Sequence, residues 1–228
     1  MWCHEALTVV GIRGRAFFAE TFQVGRLWDL HLGQFHQTRW SRLEIKLSML
    51  SVLLGLGMAA PQVYGLAKPA AFAAAVRKFP RHIPTGIFLM VLGTIWFLWN
   101  VKQEPIADFA AIKPHMMVAF AAIGLGTCIF VQDFLAVRGL AVVLLLLAKL
   151  MVDTGRAHLG ESSWVLLIQV WAYVLVVAGI WFTVSPWRLR DLLIWATATE
   201  RRIKVGSGIR LAFALLVVVL GLTAFRAM

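Results

Sequence analysis

The middle of the chain leaves the least freedom. Between Pro114 and Asp153, two apolar runs, HMMVAFAAIGLGTCIFV and GLAVVLLLLAKLMV, are joined by the short polar segment Gln132–Arg138. One crossing of a bilayer takes about 20 helical residues for a hydrocarbon core of about 30 Å. The pair is therefore too long for a single span, and it is too apolar for helices that meet water. It is expected to form a transmembrane hairpin.

Similar runs lie on both sides, so the whole chain reads as an all-α polytopic membrane protein. Of its 228 residues, 61% are hydrophobic and 14% charged. Soluble domains carry about 45–50% apolar and about 25% charged residues, and residence in a bilayer explains both departures. Six spans are expected, at about 47–66, 83–101, 116–132, 137–153, 163–184 and 209–225, with interfacial amphipathic helices between some of them. Pro61 falls in the second half of the first span and is expected to kink it. Residues 102–114 are expected to hold a short helix on the membrane surface, built on Ile106, Phe109, Ala110 and Ile112.

The runs flanking the hairpin share a plan. Each is a span, then Lys68-Pro69 or Ser185-Pro186, then a basic amphipathic helix, then a second span. In the second unit, Leu189, Leu192, Leu193 and Ala196 fall on one face of a helix whose other face is basic, the pattern of a helix lying in the interface plane. Gly206-Ser207-Gly208 is expected to turn the chain from that helix into the sixth span. This likeness suggests a parallel internal repeat with the hairpin as a spacer, and directs a search for function to the seam between the units.

Residues 1–46 fit the rest poorly. They mix apolar, basic and acidic residues with no sustained period. They are expected to be either an extramembrane or interfacial cap, or a start-site extension upstream of a protein beginning near Met49.

The formal net charge is +11. In a soluble protein such an excess suggests nucleic acid. Here the cations cluster in short loops between spans, where they meet anionic lipid headgroups, and no nucleic-acid partner is expected. The loops 67–82 and 185–206 carry most of them, so the positive-inside rule makes these loops cytoplasmic. A bacterial inner membrane is the expected location. Lipid-headgroup contacts are expected at Arg188, Arg190, Arg201, Arg202, Lys204 and Arg210.

Intramembrane polar residues are the other candidates. Lys149 and Asp153 are four apart on one helix face and can pair. The pair is either a proton or ion relay or a helix-end pair with Lys149 reaching the surface. Asp133 and Arg138 bracket the hinge of the hairpin and are expected to serve the turn. Gln169, Tyr173, Thr127 and Asn100 are expected to form hydrogen bonds between helices, while Gly55-Leu56-Gly57 and Gly124-Leu125-Gly126 offer surfaces for close helix contact.

Chemistry has little to work with. His82, His115 and His158 lie at span ends, which suits axial ligation of a pigment or haem poorly. Cys3, His4, His31 and His36 match no standard metal spacing, and Cys128 is a small thiol in an apolar run. Hydrolase, metalloprotease and P-loop signatures are absent, as is any acidic run that would hold magnesium. No catalytic residue, cofactor or metal is expected. The sequence points to a non-enzymatic structural or accessory subunit that binds lipid and a membrane-protein partner or a second copy of itself. The alternative is a small transporter or channel with its site between the two repeat-like halves.

Overall fold

A computed structural model describes residues 46–104 and 112–226. The 1–46 tail, except Lys46, and the surface helix expected over 102–114, except its ends, lie outside the described residues. Six helices are long and apolar enough to cross a membrane: α1 (Leu47–Ala67), α3 (Ile83–Gln103), α4 (Lys113–Phe130), α5 (Leu135–Arg156), α6 (Val165–Val184) and α8 (Glu200–Leu222). Two short amphipathic helices, α2 (Pro69–Lys78) and α7 (Pro186–Ala196), join α1 to α3 and α6 to α8, α2 through a 3-10 turn at Phe79–Arg81. No strand occurs among the described residues. The protein is a polytopic helical membrane protein.

The two span-to-amphipathic-helix junctions are built alike. Lys68 has φ −136° and ψ 72°, and Ser185 has φ −131° and ψ 71°. The cause is local. A residue before proline is driven out of the helical region, and proline, which lacks an N–H, starts the next helix without loss. Each junction residue still donates its N–H to the carbonyl four residues back, Tyr64 or Trp181. Val131, closing α4 with no proline after it, adopts a similar φ −123° and ψ 69°. The shared angles therefore reflect a common way of leaving a helix and do not by themselves establish a duplication.

Packing between the spans runs through glycine. In α3 and α5 the approach is reciprocal. A Cβ on Gly86 would lie 2.7 Å from the Ala136 amide nitrogen, and one on Gly139 would lie 2.8 Å from that of Met90. On its next face α5 meets α6, where Gly179 fits against Leu145 and the Ala141 carbonyl. α1 and α8 form an antiparallel pair, with Gly55 against Val218 and Gly221 against Val52. Lipid tails are as apolar as leucine, so such close approach, and not exclusion from water, is what holds these helices together.

The core has two centres. At one end of the bundle, Leu47, Met151, Val165, Ile168 and Val217 are buried where α1, α5, α6 and α8 converge. At the other, Val137, Ala141, Phe182 and Leu189 join α5, α6 and α7. Both centres include α5, which packs against α3 and α6 and carries more buried residues than any other described helix.

This corrects the spacer reading of the middle. α4 and α5 do not pack as a hairpin. α4 rests on α3 instead, through Phe120 edge-on to Phe97 and Gly124 against Thr94. At its start, the Lys113 ammonium caps the Lys102 and Glu104 carbonyls at the end of α3. None of its residues is fully buried. Neighbours in sequence are separated here, since α3 packs more extensively on α5, backbone to backbone at Gly86 and Gly139, than on α4. Phe134 makes the return with a left-handed φ of 53°, and its carbonyl accepts from the Val137 and Arg138 amides.

Two further expectations change. Gly206–Gly208 make no turn. α8 begins at Glu200, where the Thr199 hydroxyl accepts from the Arg202 amide, and it passes through both glycines. An N-cap of this kind satisfies an orphan amide at the helix start, whereas glycine in mid-helix costs only about 1 kcal/mol. α1 is helical on both sides of Pro61, from Leu47 to Ala67. Of each Gly-x-Gly, only the first glycine serves a contact: Gly57 has open space where a Cβ would be, and Gly126 nearly so. Residues two apart on a helix do not share a face.

Candidate functional site

The apolar faces of α2 and α7 converge on one open groove of about 400 Å³, with Pro61, Tyr64 and Ala75 of its lining exposed. Phe72, Ala75 and Val76 of α2, with Phe79, form one wall, and Leu189 and Leu193 of α7 the other. Pro61 and Tyr64 of α1 and Leu140 of α5 close it toward the bundle. The seam singled out in the sequence thus does hold a cavity, but its wall is apolar, with Tyr64 as the one side chain bearing a polar group.

Across this cavity the two amphipathic helices are clasped. The Arg77 guanidinium donates through Nε to the Thr197 hydroxyl at 2.8 Å and through Nη2 to the Thr197 carbonyl at 2.6 Å. Thr197 is buried and its hydroxyl donates in turn to the Leu193 carbonyl at 2.7 Å, so every polar atom has the correct role. The clasp also places a cation at the C-terminus of α7, where unsatisfied carbonyls concentrate negative potential. No sequence signal marked Arg77 or Thr197, which are 120 positions apart. The contact shows that loops 67–82 and 185–206 lie at the same end of the bundle.

Most of the basic residues expected to meet headgroups are exposed at that end. Arg188 and Arg201 are free of ion pairs among the described residues, as is Arg210 farther along α8. Arg190 pairs with Asp191 at 2.8 Å and lies 6.0 Å from the Phe134 ring. Arg202 stacks over Trp195 at 5.2 Å, and Lys204 reaches Glu200 at 3.9 Å. Asp133 is exposed and forms no ion pair with Arg138, whose Nε is buried without a hydrogen-bond partner among the described residues.

Lys149 and Asp153 pair at 2.6 Å, and Lys149 also approaches Glu104 at 3.6 Å. Glu104 closes the end of α3, so the pair sits at that level of the bundle and not at its middle. The Lys149 side chain is 43% exposed. This is the geometry of a helix-end pair. Lys149→Met is expected to change stability by less than about 1 kcal/mol, the usual worth of an exposed ion pair, as read from thermal unfolding in detergent.

Of the four residues expected to link helices, Gln169 does so. It donates to the Val152 carbonyl at 3.2 Å, beside Gly155. Thr127 and Asn100 bond back to their own helices, at Ile123 and Trp96. Tyr173 is exposed. Sequence reasoning missed two buried polar atoms on α1 and α8, Gln62 Oε1 and Ser207 Oγ, both without hydrogen-bond partners among the described residues, with Gly65 of α1 against the Ser207 hydroxyl.

The three described histidines stay apart. His82 caps α3 through Thr85, His115 is exposed, and His158 lies 3.0 Å from Glu161. Among the described residues no three His, Cys, Asp or Glu side chains gather to hold a metal; Cys3, His4, His31 and His36 lie outside them. Comparison with known proteins found no matching family model, curated relative or solved structure.

Proposed function

We propose that this chain is a non-enzymatic structural or accessory subunit of a membrane assembly, and that α4 is the helix it offers to a partner membrane protein. The placement of α4 carries this reading. Its Phe120–Gly124 face is used on α3, while Ala119 and Ala122 are exposed and Gly126 has only Phe130 of its own helix near it, which leaves a second small-residue face open among the described residues. Small residues let a second helix approach closely enough for dispersion contacts and for weak Cα–H bonds. Embedding in a bacterial cytoplasmic membrane, with α2 and α7 on the cytoplasmic side, accords with the concentration of cations at that end.

A small transporter or channel using Lys149–Asp153 as its coupling pair fits less well. That pair is exposed at a helix end, and the cavity at the seam is walled by apolar side chains.

The test is a photo-crosslinker at Ala122 in cells, followed by purification in mild detergent. A heteromeric adduct with one membrane protein is expected, lost in Gly126→Leu, while Gly57→Leu keeps it. An adduct at twice the chain mass would replace the partner by a second copy. Crosslinks to lipid alone, with the protein purifying as a monomer, would overturn the reading.

A further inference from the structure

We infer that the cavity between α2 and α7 binds one acyl chain of an anionic phospholipid, whose phosphate is held by Lys68 and Arg188 at its rim. The inference rests on the chain residing in a bilayer and is independent of any docking role for α4.

The cavity accepts an apolar ligand. Its volume, about 400 Å³, lies in the range of small-molecule sites. Every wall element contributes apolar atoms, and Tyr64 alone adds a hydroxyl.

Charge selects the class of lipid. Lys68 is one helical turn from each of two wall residues, donating its amide to the Tyr64 carbonyl and accepting from the Phe72 amide at its own. Arg188 immediately precedes the wall residue Leu189. Both are exposed, and neither side chain has an ion pair or hydrogen bond among the described residues. Arg190 and Lys204, on the same end, are already matched by Asp191 and Glu200. Unmatched cations therefore stand at the junction that opens α2 and in the first turn of α7, close along the chain to residues that wall the groove, where an acyl chain inserted between α2 and α7 brings its phosphate. The Arg77–Thr197 clasp fixes the two helices across the opening, so the walls are held in place before the lipid arrives. A preformed site spares the ligand the cost of ordering it.

Delipidated protein titrated with phosphatidylglycerol or phosphatidylcholine, read by native mass spectrometry, tests this. One phosphatidylglycerol per chain is expected to bind tightly, and Lys68→Gln/Arg188→Gln to weaken it about twenty-five-fold, at about five-fold per cation near a charged headgroup. Ala75→Trp, which fills the cavity, is expected to abolish that stoichiometric binding. Should Ala75→Trp fail to fold, a photoreactive acyl chain on phosphatidylglycerol supplies the second measurement, with adducts expected in peptides spanning 61–79 and 189–193. Equal retention of both lipids would overturn the charged rim. Stoichiometric binding in folded Ala75→Trp, or adducts elsewhere, would overturn the cavity as its seat. Neither variant is expected to alter the Ala122 adduct, so failure of this proposal and failure of the α4 reading are distinguishable.

Discussion

Gly139→Val is expected to destabilise the bundle by about 3 kcal/mol or more, the upper part of the usual range for overpacking, and to lower the yield of monodisperse protein. The reason lies in what the new side chain would meet. Its Cβ would stand 2.8 Å from the Met90 amide nitrogen and 3.1 Å from the Leu89 carbonyl carbon, both backbone atoms of α3. Backbone cannot rotate aside as a leucine tip can, so the helices must separate. Gly86 makes the same demand from the opposite side, against the Ala136 amide nitrogen and the Leu135 carbonyl carbon. Separation at one glycine therefore also loosens the other. It also withdraws α5 from α6, because α5 serves both neighbours. Gly57→Val is the control, since nothing lies within 4 Å of the position of its Cβ. Differential scanning fluorimetry in one detergent would compare them. Equal midpoints for Gly139→Val and Gly57→Val would show that the α3–α5 seam does not govern stability.

The same seam explains which parts of this architecture could be read in advance. Length and hydropathy disclose spans, because a helix in hydrocarbon must satisfy its own backbone along about 20 residues. They do not disclose partners. The run from Met116 to Phe130 and that from Leu140 to Asp153 look like a hairpin because a short turn joins them. Yet the choice of neighbour is made by Gly86 and Gly139, which only the folded geometry reveals as opposed. The Gly206-Ser207-Gly208 segment misleads for a related reason: glycine favours a turn, but the Thr199 hydroxyl had already started the helix, and Ser207 faces α1 as a buried contact. The basic character of the two amphipathic stretches was legible, and so was the seam between them as a place to search. Its apolar lining was not, because it depends on how the Phe72 and Leu189 faces turn toward one another.

Arg77 and Thr197 are expected to couple. Arg77→Gln removes both donors to Thr197 and should cost about 1–2 kcal/mol, below the upper value for a charged hydrogen bond because Arg77 is largely exposed. Thr197→Val removes the hydroxyl alone and leaves its carbonyl as acceptor, so its cost is expected to be smaller, and the double variant should lose less than the sum by about 1 kcal/mol. Lys78→Gln, one residue along α2 and without a partner among the described residues, should lie within about 0.5 kcal/mol of the parent. The consequence reaches past stability. With the clasp gone, the described residues join α2 and α7 to each other through apolar contacts around an open groove, and contacts across a gap are weak. Arg77→Gln is therefore also expected to raise amide exchange across Val76–Arg81 and Leu193–Thr199 together, while exchange in the middle of α5 stays as it was. Exchange that rises in one helix without the other, or strict additivity in the cycle, would show that the two amphipathic helices are held by the bundle alone.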